Sequence, residues 1–168
     1  ILTVFSSDHA SYRYSGSGGK AARGTDTPFH KVANGVPGLE TRLPLLFSEG
    51  VRKGRLDLET FVDLTATRAA KLYGLYPRKG IIAVGADADI AVWDPELEVV
   101  ISQDILHDAM DYTPYEGRHV TGWPVLVLSR GETVWDGDDV TGAPGRGRFL
   151  PCAKPVPAKP YGGKLDEP

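Results

Sequence analysis

The apolar positions of the chain change their period along its length. Ile1, Leu2, Val4 and Phe5 form a short, partly β-branched run that stops at Ser6, Ser7 and Asp8. That pattern predicts a buried strand closing on a carboxylate. From His9 to Ala33 no period is visible, and Ser15-Gly16-Ser17-Gly18-Gly19 predicts a long, exposed loop. Helical spacing then begins. Leu39, Leu43, Leu46 and Phe47 share one face of a helix over 39–49, and Pro44 marks either a kink or a later start. Residues 50–54 read as a connector, and Asp57 as the N-cap of a second helix whose apolar side is Leu58, Phe61, Val62 and Leu64. Thr65 and Thr67 interrupt it, and a short third helix over 68–72 stops at Gly74.

Beyond Tyr76 the pattern turns strand-like, with runs at 81–84, 88–93 and 97–101 separated by Gly85-Ala86-Asp87 and Asp94-Pro95-Glu96. Residues 102–117 are irregular. A hairpin follows, with arms 124–129 and 132–136 joined across Arg130-Gly131. From Gly137 the chain is rich in glycine and proline, too poor in apolar surface to fold alone, and is expected to be disordered or to lie on a partner subunit. Helices followed by strands divide the chain near 74–80 into units of 1–75 and 76–136, with 137–168 as an arm.

Composition narrows the picture. The 168 residues fit one domain or parts of two. The chain opens on Ile1 inside a strand-like run, which reads as the C-terminal part of a longer protein. A net charge of −3 with interspersed signs gives no footprint for nucleic acid or a membrane surface. The single Cys152 excludes an intramolecular disulfide and fits a reducing compartment, with the cytoplasm as default.

Candidate chemistry is sparse. Asp8 at a strand end is either a catalytic or metal-binding group or an ordinary turn residue. Lys20 follows a glycine run without phosphate-loop spacing. Asp87 and Asp89 read as turn and strand edge, because no calcium-loop ligands follow. His107 and His119 lack the spacing of a zinc site. Asn34-Gly35 and Pro37-Gly38 are turn dipeptides that either bring backbone close to a ligand or lead into the next helix. Glu40 and Arg42 read as a solvated or locally paired couple. Tyr112, Tyr115 and Trp123 read as a surface for a neighbouring domain or subunit.

The run from Leu72 to Pro95 contains Gly80-Ile81-Ile82-Ala83-Val84-Gly85-Ala86-Asp87-Ala88-Asp89-Ile90, which resembles the C-terminal region of cyclic amidohydrolases. The preceding Leu72-Tyr73-Gly74-Leu75-Tyr76-Pro77-Arg78-Lys79, with Ser7-Asp8-His9, Asn34 to Arg42 and Tyr115-Glu116-Gly117, narrows the resemblance to dihydropyrimidinases and D-hydantoinases. It covers nearly the whole chain. The implied fold is α/β: the last strand and closing helices of a (β/α)8 barrel, plus the C-terminal strands of a small flanking β-sandwich. The implied activity is hydrolytic opening of dihydropyrimidine or hydantoin rings to N-carbamoyl amino acids.

The resemblance further implies two divalent metal ions, zinc as a rule, held by an H-x-H pair, a carboxylated lysine, two more histidines and one aspartate. Only that aspartate maps here, onto Asp8, as metal ligand and as catalytic proton carrier. Asn34 maps onto the turn whose backbone meets the substrate's imide edge. The implied partners are a small cyclic amide, the remainder of the same enzyme and further copies in a homotetramer. Ala10-Ser11 stands where many relatives have Cys-Pro or Ala-Pro. A non-catalytic scaffold relative, an allantoinase and a dihydroorotase are the competing readings.

Overall fold

The computed structural model describes residues 3–7 and 9–155. Its regular elements are three short α-helices joined by wider turns, then a three-stranded antiparallel sheet. The helices are α1 (Arg42–Leu46), α2 (Leu58–Val62) and α3 (Arg68–Leu72), and the strands are β1 (Ile90–Val100), β2 (His119–Ser129) and β3 (Glu132–Trp135). Sheet order is β1-β2-β3.

The first helix begins at Arg42, later than the apolar period alone predicts, which leaves Pro44 in its first turn where a missing N–H is harmless. It also runs further, because a π-helical turn over Phe47–Arg52 carries it through Gly50 into the expected connector. Asp57 caps α2 as predicted, its carboxylate accepting the Thr60 N–H at 2.6 Å. Thr65 does not break the helix. Its hydroxyl donates to the Phe61 carbonyl at 2.7 Å, and a second π-helical turn over Asp63–Thr67 leads straight into α3. Helix α3 ends before Gly74, at φ +66°.

The wide turn after α1 is what docks the helices on the sheet. Phe47 stacks on Trp93 with ring centroids 5.3 Å apart and meets Phe61 edge-on at 5.6 Å. It sits directly over Gly122 of β2, where a Cβ would come within 2.2 Å of the Phe47 ring. Only glycine fits there. Around this contact Ser48 Oγ accepts the Thr121 N–H at 3.1 Å, Glu49 pairs with Arg118 at 3.1 Å, and Arg52 reaches Glu96 at 2.6 Å. Phe47, Phe61, Leu64, Ala70, Ile101 and Val120 are buried apolar side chains. Leu39, Leu58 and Val62, expected on the same apolar faces, are exposed; Leu58 and Val62 line an open groove of about 1230 Å³ beside the helices.

Several expected strands change. Residues 3–7 form no ladder with any described strand; the Phe5 N–H instead donates to the Leu64 carbonyl at 3.0 Å. A buried parallel strand needs neighbours on both edges, and helices 42–72 offer none. Residues 81–84 are likewise not a strand, with Ile82 and Val84 exposed. Turn bonds win there: Ala86 N–H to Ala83 O, Asp87 N–H to Arg78 O, and ion pairs from Lys79 and Arg78 to Asp87. Asp94-Pro95-Glu96 does not separate two strands but forms an irregularity within β1, where the register against β2 shifts between Asp94 and Glu98. Strand β2 starts at His119 rather than Pro124, and Pro124, opposite Trp93, lies beside the register shift at Val92/Trp93. The hairpin turn is the predicted Arg130-Gly131, both at positive φ.

The arm, where described, lies on its own chain. Thr141 donates its N–H to the Val134 carbonyl and its hydroxyl to the Thr133 carbonyl, at 3.0 Å each. Arg146 holds the Ser129 carbonyl at 2.6 Å and Glu132 at 2.9 Å, and Ala153 N–H reaches the Gly74 carbonyl at 2.8 Å. Unpaired backbone at the edge of β3 gives low-complexity chain something to bond, which its composition alone does not reveal. Among the described residues no helix is long and apolar enough to cross a membrane.

Candidate active-site region

Asp8 lies outside the described residues; Phe5 and Ala10, on either side of it in sequence, are described. Phe5 is held by Arg42, whose Nη1 donates to the Phe5 carbonyl at 3.2 Å while the guanidinium rests over the Phe5 ring at 5.4 Å. Two residues after Asp8, Ala10 packs against the turn at Asn34. A Cβ on Gly35, at φ +94°, would lie 2.3 Å from the Ala10 carbonyl oxygen. No side chain fits between these strands of backbone, so the glycine is required by both conformation and space. The structure thus brings together two stretches that the sequence shows separately. Asn34 itself is exposed at the edge of this contact.

The turn is fixed from behind. Lys20 Nζ donates to the carbonyl of Ala33 at 2.7 Å. Pro37 is fully buried, and the Tyr115 ring lies under Gly38. The Gly38 carbonyl accepts both the Arg42 N–H at 3.1 Å and the Thr41 hydroxyl at 3.2 Å, so the turn runs directly into α1. A cavity of about 500 Å³ opens here, lined by Ser7, His9, Pro37, Arg42, Tyr115 and Arg118 among others. Its polar groups include hydroxyls, the guanidinium groups of Arg42 and Arg118, the His9 imidazole and the Glu49 carboxylate.

Glu40 and Arg42 do not pair with each other. They face opposite ways: Arg42 to Phe5, and Glu40 to His107, accepting its N–H at 2.8 Å and lying 2.9 Å from its Nδ1. His107 in turn meets Trp135 edge-on at 4.9 Å. Tyr112 packs on Tyr14 and Tyr115 under Gly38, so both serve contacts inside the chain. Asp111 accepts the N–H groups of Tyr14 at 2.7 Å and Ser15 at 3.0 Å, and these bonds hold its carboxyl below the ordinary carboxylate range.

Asp87 and Asp89 are occupied by cations. Hydrogen bonds from Lys79 and then Arg78 hold Asp87 low, and Asp89 takes Lys79 and the Arg130 N–H. Among the described residues no three of His, Cys, Asp or Glu gather closely enough to hold a metal ion. Zinc-site spacing points away from His107, and Glu40 reads as a solvated or locally paired residue, so the contact between them is not visible in the sequence. The signal that could have found Glu40 was its place between the Asn34 turn and α1.

A profile of the amidohydrolase family matches residues 17–134. The chain is 49% identical over 153 residues to a D-hydantoinase of Geobacillus stearothermophilus, covering 91% of this chain and 32% of that protein. It is 46% identical to a D-hydantoinase of Rhizobium radiobacter, covering 89% and 32%. Among solved structures, the dihydropyrimidinase of Brevibacillus agri superposes with a TM-score of 0.84 at 43% identity, over 94% of this chain and 33% of that one. The chain therefore spans about a third of the length of the relatives it matches. It belongs to the amidohydrolase family.

Proposed function

We propose that the chain forms the C-terminal part of a metal-dependent cyclic amidohydrolase of the hydantoinase and dihydropyrimidinase type. In this reading residues 1–75 supply the last strand and closing helices of a (β/α)8 barrel. Residues 76–136 supply strands of a flanking β-sandwich, and 137–168 an arm. The observation that carries it is the approach of Gly35 to Ala10, which seats the Asn34 turn against Ala10. The exposed apolar side chains along the open groove suit a surface covered by the remainder of the same enzyme. A homotetramer in the cytoplasm completes the proposal.

The described residues make no metal centre of their own, so the other ligands of a two-cation site, zinc in this reading, come from elsewhere in the enzyme. Divalent cations in such a site bring the pKa of water close to neutrality. Asp8 is the residue of this chain that serves both as ligand and as proton carrier. It takes a proton from the water that attacks the ring carbonyl and delivers it to the ring nitrogen as the C–N bond breaks. The backbone at Asn34 offers a donor and an acceptor side by side, matching the N–H and C=O of a cyclic amide, and so orients the ring.

The test uses the full-length protein that carries this segment, with metal content measured alongside hydrolysis of dihydrouracil and hydantoin, and of allantoin and dihydroorotate as comparators. Asp8→Ala is expected to lower kcat/KM by about a thousandfold or more and to reduce bound metal. A folded protein with neither metal nor turnover would replace this reading by that of a non-catalytic scaffold.

A further inference from the structure

Glu40 and His107 are joined by two hydrogen bonds, yet neither is buried: their side chains are 33% and 42% exposed. A pair so placed adds little to stability, typically about 0–1 kcal/mol. What it does control is position. Glu40 stands two residues beyond Gly38, and the bonds from Arg42 N–H and the Thr41 hydroxyl to the Gly38 carbonyl make 38–42 one rigid piece. His107 cannot swing freely, because its ring is set edge-on against Trp135 of β3. The hairpin, through His107, therefore fixes where the Asn34–Gly38 turn stands.

We propose that Glu40 and His107 are a positioning pair that sets the substrate-facing backbone of the Asn34 turn. This rests on the assignment of that turn to the cyclic amide made above. Backbone groups that bond the ring bind ground state and transition state alike, so loosening them shows in KM before kcat. Neither side chain lines the cavity beside the turn.

The experiment is steady-state hydrolysis of dihydrouracil by the full-length protein, with thermal unfolding of each variant. Glu40→Ala is expected to raise KM about tenfold, with a smaller change in kcat. Glu40→Gln keeps an acceptor for the His107 N–H and is expected to bring KM back to within about threefold of the parent. His107→Ala leaves the backbone N–H in place, is expected to raise KM by about threefold, and serves if Glu40→Ala does not fold. A parent enzyme that turns over dihydrouracil beside variants with unchanged KM, whatever their unfolding temperature, overturns the pairing role and leaves the activity standing. A parent that hydrolyses no cyclic amide overturns the activity and the pair's role together.

Discussion

Residues 9–33 and residues 34–42 are both nearly devoid of regular structure, yet they are held in opposite ways. The first stretch is tethered at its start, where Asp111 takes two backbone N–H groups and Arg13 donates to the Ala109 carbonyl at 3.1 Å. Beyond that come local turns and exposed side chains such as Phe29, until Lys20 ties back to Ala33. The second stretch is packed at six of its nine residues: Gly35 on Ala10, Pro37 buried, Gly38 on Tyr115, Glu40 on His107, Thr41 buried and Arg42 on Phe5. Both depend on one brace, residues 107–115. A charge-held anchor yields to solvent conditions, whereas a packed anchor yields only to a change of shape.

The sharpest way to break the packed stretch is Gly35→Ala. Its added Cβ meets the Ala10 carbonyl and must also hold a positive φ, so a loss of roughly 3 kcal/mol is expected in urea unfolding of the full-length protein, with activity lost alongside. A neutral result would mean that Ala10 moves aside easily and that the two stretches are not locked.

A smaller effect is expected at the tether. Asp111→Asn removes the charge that draws in the Tyr14 and Ser15 N–H groups, so trypsin is expected to cut at Arg13 and Lys20 severalfold faster, with cleavage elsewhere unchanged. Equal cutting in parent and variant would place the loop's hold elsewhere.

The smallest effect is on pH. The Asp111 carboxyl is held low by the Tyr14 N–H first and the Ser15 N–H second, so its contribution is complete above the ordinary aspartate value of about 4. It is lost as pH falls through the lower folded value. The amide resonances of Tyr14 and Ser15 should therefore titrate together below pH about 4, and not at all in Asp111→Asn. A transition above that pH would contradict the tether.

Local signals carried far into the structure. The Asp57 cap, the stop at Gly74, the turn at Arg130-Gly131 and the loop over 9–33 were all legible, because each depends on a few adjacent residues. Elements that depend on distant partners were not. The run at 81–84 has strand composition but no strand beside it, and β1 passes through Asp94-Pro95-Glu96 because β2 tolerates a register shift there. Of the site, the Asn34 turn could be read from its dipeptides. Its meeting with Ala10 could not, since backbone proximity leaves no trace in side-chain pattern. Glu40 and Arg42 read as a solvated or locally paired couple, but the backbone points them to partners 67 and 37 residues away.

The described part of the arm has a consequence for solubility. Thr141 bonds the Thr133 and Val134 carbonyls of β3, so that edge of the sheet is partly covered. Protein trimmed after Asp136 would expose that edge, and an open edge recruits strands from other molecules. The described part of the glycine- and proline-rich tail thus covers an edge that would otherwise stand open, a task for which poverty in apolar residues is an advantage.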